Sequence, residues 1–242
     1  MGFSGLSVTH LGWSGLRLST DLVEIEVDPP EEGLLPRVAT WSEAERLRGA
    51  RGGPLAADAA VLRRYRLSGV ALAPEFRLGG LGFRAAPFRP IPWATAEEAV
   101  RKVRSGLGAP WLAFDRLRHT LGRPPDPPWA LSVTLPSRGG EFRVALLGQS
   151  AHRFVSPAEF QQLAAELGPV DVVIAGTDYD DEEATGRLIG LYPARAYIIA
   201  DLTGEIRRKL GLPTRDLACC LRAAPRDAQL LHPGRRLSPR QS

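Results

Sequence analysis

Apolar and polar residues alternate along the first thirty residues in the way that is typical of β-strands. Residues 22–27 alternate apolar with acidic side chains, which predicts a strand with one solvated face. Gly12 and Gly15 separate this run from an earlier apolar run. Strands over 6–11 and 16–27 are therefore predicted to form a hairpin.

The middle of the chain is predicted to be largely helical. Residues 95–98 read TAEE, a capping-box pattern that begins a helix over 95–105, and a second helix follows over 110–121. A proline-rich turn comes next, so residues 95–128 are predicted to form a helical insert. Before this insert the pattern predicts helices over 42–47 and 58–65 and strands over 69–72 and 81–86.

The C-terminal half alternates strands and helices. Ser156 is a predicted helix N-cap with a proline and a capping-box glutamate in the first turn, and Gly168 marks the end of that helix. The apolar runs that follow lack alternation, as in strands covered on both faces. The other elements predicted here are strands over 130–135, 141–147, 170–175, 196–199, 217–221 and 229–231, and a helix over 181–191. This order predicts a layered α/β sandwich in a single domain over 1–242.

Composition narrows the class of protein. The chain has 242 residues, of which 44% are hydrophobic and 24% charged, as in globular proteins that bury a core without disulfide or metal support. It has no apolar run long enough for a spanning helix and no N-terminal pattern of a secretory signal. Cys219 and Cys220 are adjacent, which suits neither a disulfide framework nor a zinc knuckle. We therefore expect a cytoplasmic protein with no membrane partner and with both cysteines in the core.

The positive charge is unevenly distributed. The net charge is +4, and Lys102 and Lys209 are the only lysines among 31 basic residues. Residues 207–242 carry nine bases against Asp216 and Asp227. Such a tail is able to contact phosphates or an acidic partner, although a solvated arginine-rich end is the simpler interpretation.

A series of short segments resembles a known family. In chain order these segments are VTHLGWSG at 8–15, DPP at 28–30, RVAT at 37–40, VALLGQS at 144–150, VDVVIAG at 170–176, YPARAYII at 192–199 and LHPG at 231–234. Their order and spacing resemble the metallo-β-lactamase-fold superfamily, in its small branch of ascorbate-phosphate lactonase-like hydrolases. The resemblance covers most of the chain outside the helical insert. It implies a four-layer αββα sandwich.

The resemblance also identifies the positions where the family binds metal. The family holds one or two zinc-like ions with a Thr-His-x-His-x-Asp-His loop, a later histidine, the aspartate of a Gly-Asp pair and a final histidine. In this sequence those positions hold Trp41, Glu43, Glu45, Arg46, Pro90, Gln149 and Asp201. No histidine stands at any of them. Because water needs a Lewis acid to ionise near neutral pH, the resemblance implies a degenerate centre with no metal and no catalytic residue.

The side chains around the former centre are expected to close it. Arg46 would take the place of the cations by pairing with Glu43, Glu45 or Asp201, because unpaired buried acids are costly. Trp41 would fill volume. Trp13, Trp93 and His152 would line the remaining pocket. His10, within a strand, is expected to be a structural histidine with its hydrogen bonds satisfied.

Three functions follow from these expectations. The favoured one is a catalytically inactive scaffold or partner subunit that binds another protein subunit or a second copy of itself, with no cofactor. A hydrolase that binds one divalent cation through Glu43, Glu45 and Asp201 is the alternative. A weaker alternative is a nucleic-acid-associated protein that uses the arginine-rich C-terminus.

Overall fold

A computed structural model describes residues 5–12, 15–27, 63–67, 75–78, 81–87, 129–147, 156–177, 182–201 and 217–239. Within them the chain forms twelve strands and three helices. The strands are β1 Ser7–Gly12, β2 Gly15–Ser19, β3 Val23–Val27, β4 Arg63–Leu67, β5 Glu75–Leu78, β6 Leu81–Pro87, β7 Trp129–Ser137, β8 Gly140–Leu147, β9 Val172–Gly176, β10 Ala196–Ala200, β11 Gln229–Leu231 and β12 Arg236–Leu237. The helices are α1 Pro157–Leu167, α2 Glu182–Ile189 and α3 Ala218–Ala223.

The strands form two sheets. The first sheet has the order β12-β1-β2-β3-β4, and its only parallel pair within the described residues is β3 with β4. The second has the order β11-β10-β9-β8-β7-β6-β5, antiparallel from β5 to β8 and parallel from β8 to β11. Among the described residues, the chain returns to the first sheet at β12, which pairs with β1.

The second sheet has apolar residues on both faces. In β9, Val172 and Ile174 belong to a core shared with the first sheet, whereas Val173 and Ala175 belong to a core shared with the helices. β10 divides its apolar residues in the same way. This explains the uninterrupted apolar runs and confirms that these strands are covered on both faces.

The helices pack on the outer face of the second sheet. The helix predicted after Ser156 is confirmed: the Ser156 side chain accepts from the Glu159 N–H, and the Glu159 carboxylate accepts from the Ser156 N–H. Phe160 and Leu163 of α1 are buried in the core beneath the helices. None of the described helices combines the length and hydropathy needed to cross a bilayer.

The α/β class is therefore confirmed, as two facing sheets with helices over one of them. The predicted hairpin of β7 and β8, the strands β6, β9, β10 and β11, and the helices α1 and α2 all form with small shifts of their ends. The predicted elements over 42–47, 69–72, 95–105 and 110–121 lie outside the described residues, and so does the helical insert 95–128.

Two N-terminal predictions are wrong. The strand predicted over 16–27 is two strands, because the Thr20 hydroxyl accepts from the N–H groups of Leu22 and Val23 and turns the chain. Residues 63–65, the end of the helix predicted over 58–65, belong to β4. β4 forms by parallel pairing with β3, with Arg64 in register with Glu24, and this pairing depends on the tertiary fold.

The strand predicted over 217–221 is also wrong, because this segment is the helix α3. Gly186 of α2 permits the two helices to touch: a Cβ atom there would lie 2.2 Å from the Cys220 carbonyl oxygen. Cys220 is fully buried in the core beneath the helices, and Cys219 is partly exposed. The prediction that the cysteines are core residues is confirmed for Cys220. The structure also adds β5, which the sequence pattern did not predict.

Tyr192 fixes the end of α1 to the rest of the helical layer. Its buried hydroxyl donates a 2.7 Å hydrogen bond to the Gly168 carbonyl oxygen, directly after α1. We expect Tyr192→Phe to lower the free energy of unfolding by about 1–2 kcal/mol, because the buried carbonyl would lose its partner. Urea denaturation measures this loss, and a variant as stable as the wild type would contradict it.

The same tyrosine predicts a pH dependence. Burial raises the pKa of Tyr192 well above its ordinary value, and Arg84 only partly opposes this. In the unfolded chain the phenol ionises near its ordinary pKa of about 10, so the stability from Tyr192 declines as pH rises above that value. Spectrophotometric titration around pH 10 should therefore give equal phenolate signals for the wild type and Tyr192→Phe. A larger wild-type signal, by one tyrosine, would show that Tyr192 is not shielded.

Candidate functional site at the strand ends

Three polar residues directly follow parallel strands of the second sheet. Thr177 follows β9, Asp201 follows β10 and His232 follows β11. Because these strands run in the same direction, their carboxyl ends lie along one edge, the place where open α/β sheets bind ligands. The edge is well ordered by backbone contacts: the Thr177 N–H donates to the Ala200 carbonyl oxygen at 2.9 Å, and the Asp201 N–H donates to the Leu231 carbonyl oxygen at 2.9 Å.

His10 connects the first sheet to this edge. The residue is fully buried in β1, and its Nδ1 accepts a 3.0 Å hydrogen bond from the Gly12 N–H. Nε2 therefore carries the proton in the neutral ring, and it donates to the Asp201 carbonyl oxygen at 3.0 Å. Both ring nitrogens are engaged with the backbone, as expected for a structural histidine.

The backbone of His10 is held as firmly as its ring. The His10 N–H donates to the Arg235 carbonyl oxygen, and the His10 carbonyl oxygen accepts from the Gly234 N–H, both at 2.9 Å. These two bonds anchor the loop between β11 and β12, which also carries His232. The two sheets and the terminal loop therefore meet at one buried imidazole.

Asp201 and His232 form an acid–imidazole pair at the mouth of this edge. The Asp201 Oδ2 lies 3.6 Å from the His232 Nδ1, which is too long for a good hydrogen bond but within ion-pair range when the imidazole is protonated. The Asp201 side chain is 12% exposed and the His232 side chain 56% exposed. The imidazole is therefore accessible to solvent, whereas the carboxylate lies mostly behind it.

The described residues at this edge do not fit a zinc centre. A catalytic zinc takes three protein ligands and keeps a position for water. The lone pair of His10 Nδ1 already accepts the Gly12 N–H, so this ring cannot be a ligand without breaking that bond. The Asp201 carboxylate and the His232 imidazole remain as candidate donors, and the described part of the chain brings no third metal-ligating side chain to them.

Of the positions that the resemblance identified as former metal positions, the structure describes Asp201, which lies at this edge. The other predicted site residues lie outside the described residues: Trp13, Trp41, Glu43, Glu45, Arg46, Pro90, Trp93, Gln149 and His152. The proposed pairing of Arg46 with Asp201 therefore stays a prediction.

Neither the place of His232 in the site nor the contact of His10 with Asp201 was predicted from the sequence. A signal for His232 was present, because it directly follows a short apolar strand, as Asp201 does. The contact of His10 had no local signal, since the two bonded residues are 191 positions apart in the chain.

The C-terminal arginines that the structure describes, Arg222, Arg226, Arg235 and Arg236, are exposed.

No protein-family model matches the chain, and no curated protein matches it either. Function is therefore inferred from the residues at the strand ends and from the sequence resemblance.

Proposed function

We propose that the protein is a metallo-β-lactamase-like αββα sandwich that has lost its metal centre and acts as a non-catalytic scaffold or partner subunit. The observation that carries this proposal is the bonding of His10. A buried histidine at the edge where a metal centre would lie holds the backbone together with both ring nitrogens. Imidazole is thereby used for structure, which leaves no lone pair on this ring for a metal ion.

The proposed fourth layer would cover the outer face of the first sheet. On that face Arg17 pairs with Glu26 at 2.6 Å and with Glu24 at 3.5 Å. The side chains of Glu24 and Glu26 are only 15% and 14% exposed. Such low exposure of two carboxylates on one sheet face is typical of a face beneath another layer rather than one in open solvent.

The proposal also rests on the chemistry that hydrolysis requires. An ionised water near neutral pH needs an inner-sphere cation, which the family supplies through histidines and a bridging carboxylate. Here the one described position of that set is Asp201, and the other family positions hold residues such as Trp41, Arg46 and Pro90. A protein that has these sheets but lacks the metal ligands suits an interaction role. Its partner would be another protein subunit or a second copy of the same chain.

A divergent hydrolase is the second candidate, favoured by the closeness of the Asp201 carboxylate and the His232 imidazole. Turnover assays on phosphoester and lactone substrates, with and without added Zn²⁺ or Mn²⁺, separate the two candidates. The matched control is the double variant Asp201→Asn with His232→Ala. We expect no metal-dependent turnover in either protein. Metal-stimulated turnover that the double variant loses would overturn the non-catalytic proposal.

A further inference from the structure

An open groove of about 480 Å³ lies on the outer face of the second sheet, beyond the C-terminal end of α1. Its floor is formed by β5, β6, β7 and β8, and Leu167 and Pro169 at the end of α1 form one wall. The charged and hydroxyl side chains that line the groove are Glu75, Arg77, Arg84, Ser132, Thr134 and Arg143. None of Thr177, Asp201 and His232 lines this groove.

Two of the arginines stand at the ends of one cross-strand row. Arg77 of β5 pairs in register with Gly82 of β6, Gly82 with Thr134 of β7, and Thr134 with Arg143 of β8. Directly paired residues share a face, and three strand spacings separate the ends of the row by about 14 Å. A Cβ atom added at Gly82 would meet no atom within 4 Å, so the floor between the arginines is open.

The charges of this row are not neutralised within the described residues. Neither Arg77 nor Arg143 has an acidic side-chain partner there, and both are exposed. The nearby Asp171 carboxylate is engaged by the Arg143 backbone N–H at 2.9 Å and by the Arg195 guanidinium at 3.6 Å. The row therefore presents two guanidinium groups that are available for an anionic ligand.

Arg84 lies at one side of the groove, next to the end of α1. It pairs with Glu75 at 3.1 Å and lies so close to Gly168 that a Cβ atom there would be 2.7 Å from its Nη1. Gly168 has a φ of 81° and ends α1, a backbone conformation that favours glycine. Arg84 lies against this end of the groove wall, whereas Arg77 and Arg143 belong to the strands of the floor.

We propose that this groove binds the phosphodiester backbone of a single-stranded nucleic acid. The two arginines stand at the ends of a row about 14 Å long, and a chain with a negative charge at every nucleotide is able to contact both ends at once. Arginine also matches phosphate oxygens with paired N–H donors. The net charge of +4 gives the protein an overall attraction for a polyanion.

A phosphodiester chain suits this surface better than an acidic polypeptide. A peptide on the face of a sheet would bring backbone N–H and C=O groups against a floor whose own backbone groups are already paired within the sheet. A phosphodiester backbone offers only acceptors, which the arginines and the Thr134 hydroxyl are able to satisfy.

Fluorescence anisotropy with a labelled oligothymidylate of about 12 nucleotides tests the proposal on the full chain. The groove variant is Arg77→Gln with Arg143→Gln, and the control is Arg222→Gln with Arg226→Gln, which removes the same charge elsewhere. We expect the groove variant to lose affinity by roughly tenfold for each arginine, as for a charge-assisted hydrogen bond. The control should change by less than about threefold, as exposed charges usually do.

A second variant keeps the test independent of arginine removal. Gly82→Glu places an anion on the open floor without a steric clash, and we expect it to abolish binding while its thermal unfolding stays close to that of the wild type. The salt dependence between about 50 and 200 mM should also weaken in the groove variant, by roughly 0.7 in the log–log slope for each lost contact.

Two kinds of binding result would overturn the proposal. No binding of the wild type, or equal losses in the groove and control variants, would overturn the proposal. Competition by inorganic pyrophosphate or by polyglutamate as effective as that of unlabelled oligothymidylate would overturn it too, because the site would then take small anions or acidic peptides. None of these measurements depends on metal content or hydrolysis, so the proposed function and this groove can fail separately.

Discussion

Replacing His10 with alanine is expected to lower the free energy of unfolding by about 3–5 kcal/mol, the range for a buried group that leaves both a cavity and unpaired polar atoms. The Gly12 N–H would lose its acceptor, and the Asp201 carbonyl oxygen would lose its donor. Gly12 and Asp201 are both buried residues, so water does not readily replace the lost bonds. The loss would also loosen the contact between the two sheets.

Urea denaturation of His10→Ala measures this effect, and His232→Ala is its matched control. His232 belongs to the same edge but is 56% exposed, so its truncation should change stability by no more than about 0.5 kcal/mol. If the two variants were equally stable, His10 would not be the structural tie between the sheets. The loss of imidazole without loss of stability would then favour a ligand role for this residue.

Replacing Gly186 with alanine is the second substitution with a large expected effect. The added Cβ would lie 2.2 Å from the Cys220 carbonyl oxygen and 3.1 Å from the Ala224 nitrogen, so α3 would have to move away from α2. Overpacking of this kind costs about 3 kcal/mol, which exceeds the gain of about 1 kcal/mol from the better helix propensity of alanine. The variant should therefore unfold at lower urea concentration.

Gly190→Ala is the control for this prediction. It lies just after the same helix, and an added Cβ there would meet Pro225 atoms no closer than 3.4 Å, an ordinary contact. Its stability should stay within about 1 kcal/mol of the wild type. A Gly186→Ala variant as stable as Gly190→Ala would show that α2 and α3 do not touch at this point.

Elements with strong local signals were the ones that the sequence predicted well. The capping box at Ser156 and Glu159 forms as expected, because N-cap bonding depends on neighbouring residues alone. The strands β9 and β10 follow from apolar runs that need a cover on both faces. By contrast, β4 depends on pairing with β3, and α3 depends on the close approach of Gly186, and neither contact is visible in a local window.

The candidate site was predictable to the same limited extent. The resemblance identified Asp201 as a site residue. Its position directly after a buried strand also predicts, without reference to any protein family, that it lies at the edge of the sheet. The bonding of His10 to Asp201 joins residues 191 positions apart, so no periodicity or spacing predicts it. The groove was hidden for the same reason: Arg77, Thr134 and Arg143 become neighbours only through the register of four strands.

Metal content is the most direct test of the proposed loss of the metal centre. Elemental analysis should be made on protein purified without a chelator and without a polyhistidine tag. We predict less than about 0.1 equivalent of zinc, manganese or iron for each chain, because a water-activating centre takes three protein ligands. About one or two equivalents, retained by the wild type and lost in the double variant of Asp201→Asn with His232→Ala, would contradict the proposal and identify a working metal site.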